Sequence, residues 1–142
     1  MAVVVAHAVE TARPALDANR QNLVVTLPEQ PLRMWADAAR LAQVVTNLLA
    51  NASKYTPEGG RIELTAEATG GQMVLRVCDT GSGIDPTMLE RIFEMFAQEK
   101  ASAERAQGGL GIGLTLVRGL VELHGGTVRA SSAGRDRGST FT

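Results

Sequence analysis

Glycine divides this chain into two kinds of backbone. No glycine precedes Gly59, whereas four of the six residues from Gly108 to Gly113 are glycine. The first stretch must be built from conformations open to any L residue, which means regular helix and strand. The second can turn freely and bring its N–H groups close to a ligand with no side chain in the way. Fifteen glycines in 142 residues exceed the roughly 7% of average usage, so the excess needs a local cause.

A length of 142 residues matches one domain, spanning 1–142, with no linker and no internal repeat. Apolar residues make up 44% and charged residues 20%, and the formal net charge is −1, which excludes a disordered polyelectrolyte and a basic nucleic-acid binder. The lone Cys78 can form neither an intramolecular disulfide nor a thiolate metal cluster, as fits a reducing compartment. The apolar stretch from Met1 to Val9 is interrupted by His7 and falls well short of the roughly 20 residues needed to span a bilayer. It also lacks the basic region and cleavage site of a secretory signal. These features predict a soluble, cytoplasmic chain without direct membrane contact. With 4% aromatic residues, its core must be made of Val, Leu, Ile, Ala and Met.

Hydrophobic spacing orders the elements. Val5, Val9, Ala12 and Leu16 predict a helix from Val3 to about Arg20, with Pro14 expected to disturb its later turns. Asn22 to Leu27 and Leu32 to Ala36 read as strands around a Pro28-Glu29-Gln30-Pro31 turn. Asp37 stands where an N-cap belongs, and Leu41, Val44, Val45, Leu48, Leu49 and Ala52 predict an amphipathic helix from Asp37 to Ser53. Arg61 to Thr69 and Gln72 to Cys78 form a hairpin around Gly70-Gly71. Pro86 to Phe93 predicts a short helix, and 96–113 a long lid-like loop. Leu114 to Leu123 predicts a helix stopped by Gly125-Gly126, followed by strands at Thr127 to Ser131 and Gly138 to Thr142. The chain ends without a turn signal, the pattern expected of a piece of a longer protein. This order predicts an α+β fold with one helical layer over one sheet.

Three constellations carry chemistry. Asn47, Asn51, Lys54 and Tyr55 share a stripe of the second helix. Amide oxygens there could ligate Mg²⁺ and the lysine could meet phosphate, or the stripe could be a solvated flank. Asp79-Thr80-Gly81-Ser82-Gly83-Ile84 follows a strand, and its Asp is either a turn former or an acceptor for an exocyclic amine. Gly108-Gly109-Leu110-Gly111-Ile112-Gly113 runs into a helix and is either a phosphate cradle or a hinge. Its spacing is not the dinucleotide fingerprint, and no P-loop motif occurs.

Taken together and in this order, the three become specific. Residues 37–57 (DAARLAQVVTNLLANASKYTP) resemble the N box of sensor histidine kinases, DTGSGI their first glycine box, Phe93 to Phe96 their F box and GGLGIGL their second glycine box. GGTVRASS and GSTFT are similar to the end of the same domain. The resemblance covers nearly the whole chain. It implies the Bergerat ATP-binding fold shared with gyrase B, Hsp90 and MutL: a two-layer sandwich whose mixed, mostly antiparallel sheet carries about three helices on one face.

The resemblance also implies roles. Asn51 would hold Mg²⁺, Asn47 would lie in the same metal–phosphate neighbourhood, Lys54 would contact phosphate and Tyr55 would pack on adenine. Asp79 would accept the adenine amine, with Gly81 and Gly83 admitting the base and Thr140 touching it through water. Gly109, Gly111 and Gly113 would close the lid over ATP, anchored by Phe93 and Phe96. Related ATPases carry a Glu four residues before the metal Asn, where this chain has Asn47, a poor general base. That departure favours transfer over hydrolysis. Neither His7 nor His124 lies in an H-E-x-x-R-x-P context, and His124 sits near a helix C-terminus, where charge is favoured. The expected acceptor is then a histidine on a separate helical dimerisation domain absent from this chain, with a response regulator served indirectly and the chain itself monomeric. An anti-sigma-factor-type serine kinase and a non-catalytic nucleotide sensor are the alternative functions.

Overall fold

Segments of helical and of alternating period resolve, in a computed structural model that describes residues 1–30, 34–95 and 112–142, into three helices and five strands. In chain order they are α1 (Ala2–Ala18), β1 (Asn22–Thr26), α2 (Ala38–Tyr55), β2 (Arg61–Thr69), β3 (Gln72–Asp79), α3 (Gly113–Leu123), β4 (Ala130–Ser131) and β5 (Ser139–Phe141). The sheet order is β1-β2-β3-β5-β4, with β1 parallel to β2 and the other neighbours antiparallel. This is the α+β architecture, three helices with a mixed open sheet, that the element order predicts.

Alternation along the strands separates two faces. Ile62, Leu64, Val77 and Phe141 join the buried core with Val5, Ala8 and Leu16 of α1, Val45, Leu48, Leu49 and Ala52 of α2, and Val117 and Leu120 of α3. The opposite face of β2 and β3 carries the ion pairs of Arg61 with Glu63 and Arg76 with Glu67, alongside Val74 and Cys78. One face therefore meets the helices while the other meets water.

The helix ends show how each half of the sequence stops a helix. Asp37 Oδ1 accepts from the amides of Ala39 and Arg40, 2.9 and 3.1 Å away, as expected of an N-cap. α3 ends in a Schellman motif: Gly125 has φ +71°, its amide bonds to Glu122 O, and Gly126 N bonds to Val121 O. α1 ends in the same pattern, Arg20 N to Asp17 O and Gln21 N to Leu16 O, but the left-handed residue is Arg20, at φ +50°. The glycine-free half has put a bulky side chain where glycine is favoured.

Several expectations need correction. α1 continues unbroken through Pro14, because Glu10 and Pro14 are both exposed and water can take the freed carbonyl. Residues 34–36 of the expected strand Leu32 to Ala36 are irregular, with Trp35 fully exposed, and residues 31–33 lie outside the described ones. Pro86 to Phe93 is a run of turns instead of a helix, carried by short-range bonds such as Met88 N to Asp85 O at 2.8 Å and Arg91 N to Met88 O at 2.9 Å. The last two strands are shorter than expected. His124 lies at the end of α3 as expected, and it ties that end to the start of α2: Nδ1 donates to Leu120 O at 2.8 Å and Nε2 accepts from the Asp37 amide at 3.2 Å.

Replacing Arg20 with glycine should raise stability by about 1 kcal/mol, by removing left-handed strain. The surface ion pair with Glu58 that is lost is too exposed to offset this gain. Urea unfolding checks it: the midpoint should rise with no change in slope.

Candidate functional site

The site is built where β3 ends. Asp79 is 5% exposed, and both of its carboxylate oxygens are held: Oδ1 accepts from Gly81 N at 2.8 Å and Oδ2 from Ser139 Oγ at 2.5 Å. A buried carboxylate is costly without such donors. Because a carboxylate has about four lone-pair positions, these two bonds leave it able to accept from a ligand.

Three stretches of backbone converge on this carboxylate. Ser82 N donates to Tyr55 O at 3.0 Å, joining the turn after β3 to the end of α2. Gly138 N donates to Gly81 O at 3.0 Å and Asp136 N to Ser82 O at 2.7 Å, joining the same turn to the β4–β5 loop. A Cβ on Gly81 would stand 2.3 Å from Tyr55 O, one on Gly83 2.0 Å from Gly134 O, and one on Gly138 2.0 Å from Asp79 O. The absence of side chains at Gly81 and Gly83 thus lets the turn after β3 touch the end of α2 and the β4–β5 loop. That requirement is separate from the admission of a base.

Ser132 fastens the loop. Its Oγ accepts from Ile84 N at 3.0 Å and Gly134 N at 3.2 Å and donates to Gly138 O at 2.7 Å. Asp85, on the same turn, receives the Thr87 hydroxyl at 2.7 Å and the Thr87 amide at 3.0 Å. These bonds hold its carboxyl below the ordinary 3.8, and Arg135 nearby adds to the effect.

On α2, Asn47 and Asn51 are half-buried, one turn apart, and Lys54 and Tyr55 are exposed in the last turn. Asn47 Nδ2 donates to Gln43 O at 2.9 Å, and among the described residues its Oδ1 accepts no bond. That oxygen faces the start of α3, where a Cβ on Gly113 would meet it at 3.4 Å. The Lys54 ammonium lies 5.1 Å from the centre of the Tyr55 ring. α3 opens at Ile112, which offers no side-chain acceptor to the first amides, and no acidic residue occupies its first turn. Phe93 is buried edge-on against Phe141, with ring centres 6.3 Å apart, whereas Phe96, Gly109 and Gly111 lie outside the described residues.

The partner of Asp79 on β5 is Ser139. Asp79 lies opposite Ser139 in the ladder and Cys78 opposite Thr140, so alternation turns Thr140 to the other face. Ser139, Gly138 and Ser132 went unnoticed in the sequence. Strand parity could have found Ser139, since the buried Phe141 two residues on marks the inward face. The long-range role of Ser132 left no local signal. A shallow depression on α1, lined by Ala6, Val9, Glu10, Arg13, Pro14 and Asp17, includes none of the site residues. Among the described residues no helix is long and apolar enough to cross a membrane.

A buried carboxylate at a strand end, a helix carrying two amides one turn apart and a helix start without a side-chain cap thus belong to one α+β domain. Residues 36–142 match the family described as histidine kinase-, DNA gyrase B- and HSP90-like ATPase, and the chain belongs to it. It is 44% identical over 100 residues to the histidine protein kinase DivJ of Caulobacter vibrioides, covering 70% of this chain and 17% of that protein. It is 41% identical over 107 residues to the probable sensor histidine kinase TcrY of Mycobacterium tuberculosis, covering 75% of this chain and 22% of the relative. The chain thus spans a small part of the curated relatives it matches. Among solved structures, the catalytic domain of histidine kinase ThkA superposes with a TM-score of 0.85 at 25% identity, over 99% of this chain and 88% of that one. Full-length ShkA in complex with AMPPNP gives 0.80 at 30% identity, over 97% of this chain and 28% of that one.

Gly138→Ala and Gly83→Ala should each cost roughly 3 kcal/mol, because a backbone contact must open at a left-handed residue. Gly70→Ala, equally left-handed but facing open space, should cost about 1 kcal/mol. Urea midpoints of the three variants check the order. For Asp85, whose carboxyl is depressed when folded, ionisation stabilises the fold above pH 3.8, and this contribution is lost as pH falls through the folded value. Thr87→Val should move that carboxyl upward toward 3.8, as read by NMR titration of the carboxylate.

Proposed function

We propose that this chain binds Mg²⁺-ATP and donates its γ-phosphoryl group to a histidine on a separate helical acceptor domain. The observation that carries the reading is the buried Asp79 carboxylate, fixed from both sides and still able to accept, at the junction with the last turn of α2. Such a group suits the exocyclic amine of adenine. AMPPNP, the ligand named for full-length ShkA, is of the class that the site would take.

The donor set fits the metal as well. Asn47 presents a free amide oxygen because its nitrogen is occupied, and Asn51 follows one turn later. Amide oxygens suit a hard cation that keeps several waters and bridges to phosphates. When bound, Mg²⁺-ATP would supply the phosphoryl group, with the metal screening the phosphate charge. The chain's own residues would bind and orient. Asp79 would select the base, Tyr55 would cover it, and Lys54 would add a positive charge on the phosphate side. The uncapped amides of α3 at Gly113 would receive phosphate oxygens, a function suited to a helix start without its own acceptor. Residues 96–113, including Gly109 and Gly111, would form the lid over the nucleotide. Asn47 cannot activate water as a carboxylate would, which favours transfer to the acceptor over hydrolysis. The domain would work in the cytoplasm as a monomer, its parent kinase contributing the acceptor histidine and, beyond it, a response regulator.

Calorimetric titration with Mg²⁺-ATP should give saturable binding, weakened at least tenfold in Asp79→Asn and in Asn51→Ala. With labelled ATP and the parent's helical acceptor domain, label should reach the acceptor histidine and fail to do so with Asn51→Ala. Tight nucleotide binding with no transfer to any acceptor would instead make this a sensor module. Absence of binding would end the reading altogether.

A further inference from the structure

α2 has to stop without the left-handed glycine that ends α3. Its C-cap is Thr56, in extended conformation at φ −93° and ψ 130°, and Pro57 follows, so the usual local closure is absent. The last carbonyls of a helix still need donors. Ala52 O takes the Thr56 amide at 3.0 Å and Tyr55 O the Ser82 amide at 3.0 Å. Ser53 O and Thr56 O are both taken by one side chain from outside the helix. Gln21 Nε2 donates to Ser53 O at 2.8 Å and to Thr56 O at 2.6 Å.

Gln21 is 8% exposed and its amide is fully used. The two N–H groups meet two carbonyls, and Oε1 accepts the Ser53 hydroxyl at 2.7 Å. Only this orientation of the amide works, because a flipped one would set oxygen against two carbonyl oxygens. The backbone of Gln21 is held too, since its N–H closes α1 on Leu16 O at 2.9 Å and Asn22 begins β1. A rigid junction between α1 and β1 therefore grips the end of α2, thirty-odd residues later in the chain.

That end is where the nucleotide side chains sit. Lys54 lies between the two gripped carbonyls in sequence, and Tyr55 O receives the amide of the turn that contains Asp79's partner Gly81. We infer that Gln21 is a positioning residue for the nucleotide site. Its buried amide sets the course of the last turn of α2, and the Tyr55–Ser82 bond passes that setting to the Asp79 turn. The ligand in this inference rests on the nucleotide reading above; the geometry does not.

The test uses Gln21→Leu, of similar volume, and Ser53→Ala, which removes one of the three bonds. Two quantities are measured at a temperature where circular dichroism reports a folded chain: the Kd for Mg²⁺-ATP and amide hydrogen exchange. Gln21→Leu should raise Kd at least fivefold and speed exchange at Ser82 at least tenfold. Leu41, in the first turn of α2, and Gly126 should keep their exchange rates. Ser53→Ala should move Kd and Ser82 exchange in the same direction by about threefold, and it decides the matter if Gln21→Leu does not fold. A lower melting temperature with Kd within twofold of wild type and unaltered Ser82 exchange would mean that Gln21 is only a packing residue, which overturns the inference. If the wild-type chain fails to bind Mg²⁺-ATP, the nucleotide reading falls, and Ser82 exchange alone still decides whether Gln21 fixes the turn.

Discussion

Around Asp79 three segments of main chain approach one another more closely than any side chain would allow, and the rest of the site is arranged on that contact. The end of α2, the turn after β3 and the β4–β5 loop are joined by amide–carbonyl bonds through Gly81, Ser82 and Gly138. Bonds of this kind are short and directional, and they involve no flexible rotamers, so they transmit position better than side-chain packing does. The carboxylate at their centre is held by a backbone amide on one oxygen and a hydroxyl on the other. A group held from both sides in this way cannot turn away from whatever it meets.

α2 is the element through which the layers communicate. Its start is closed by Asp37 and joined to the end of α3 by His124; its finish meets the Asp79 turn. One polar stripe runs between these anchored ends, and the opposite face contributes Val45, Leu48, Leu49 and Ala52 to the core. The same burial that stabilises the sandwich therefore fixes the direction in which Asn47 and Asn51 face. The core and the polar stripe share a helix while occupying different sides of it.

Much of this was legible because it is local. The apolar spacing of α2, the Asp37 cap, the Gly70-Gly71 hairpin and the glycine stop of α3 are each encoded within a few residues. Pro86 to Phe93 misled because a first-turn proline and a few apolar residues suit a run of turns as well as a helix. Leu32 to Ala36 misled because a short apolar run has no period of its own to distinguish strand from irregular chain. The candidate site was less legible than the fold. Asp79 announces itself at a strand end, but its partner Ser139 is sixty residues away and depends on ladder parity. The Gln21 side chain acts wholly across the fold, as does the bond from Ile84 to Ser132, and nothing beside them in sequence hints at these partners.

The position of β5 in the sheet bears on the order in which the molecule can assemble. β2 and β3 are consecutive and joined by a tight turn, so their pairing closes only a small loop. β5 enters between β3 and β4 and must find Asp79 across a long intervening chain. Contacts of such separation form late, after the entropy of closing the loop has been overcome. Before β5 docks, the Asp79 carboxylate lacks its hydroxyl donor and the Gly138 amide has no carbonyl to meet. The fully bonded Asp79 turn is thus among the last features to mature, and a chain that has formed its hairpin and helices still lacks it until the final seam is sewn.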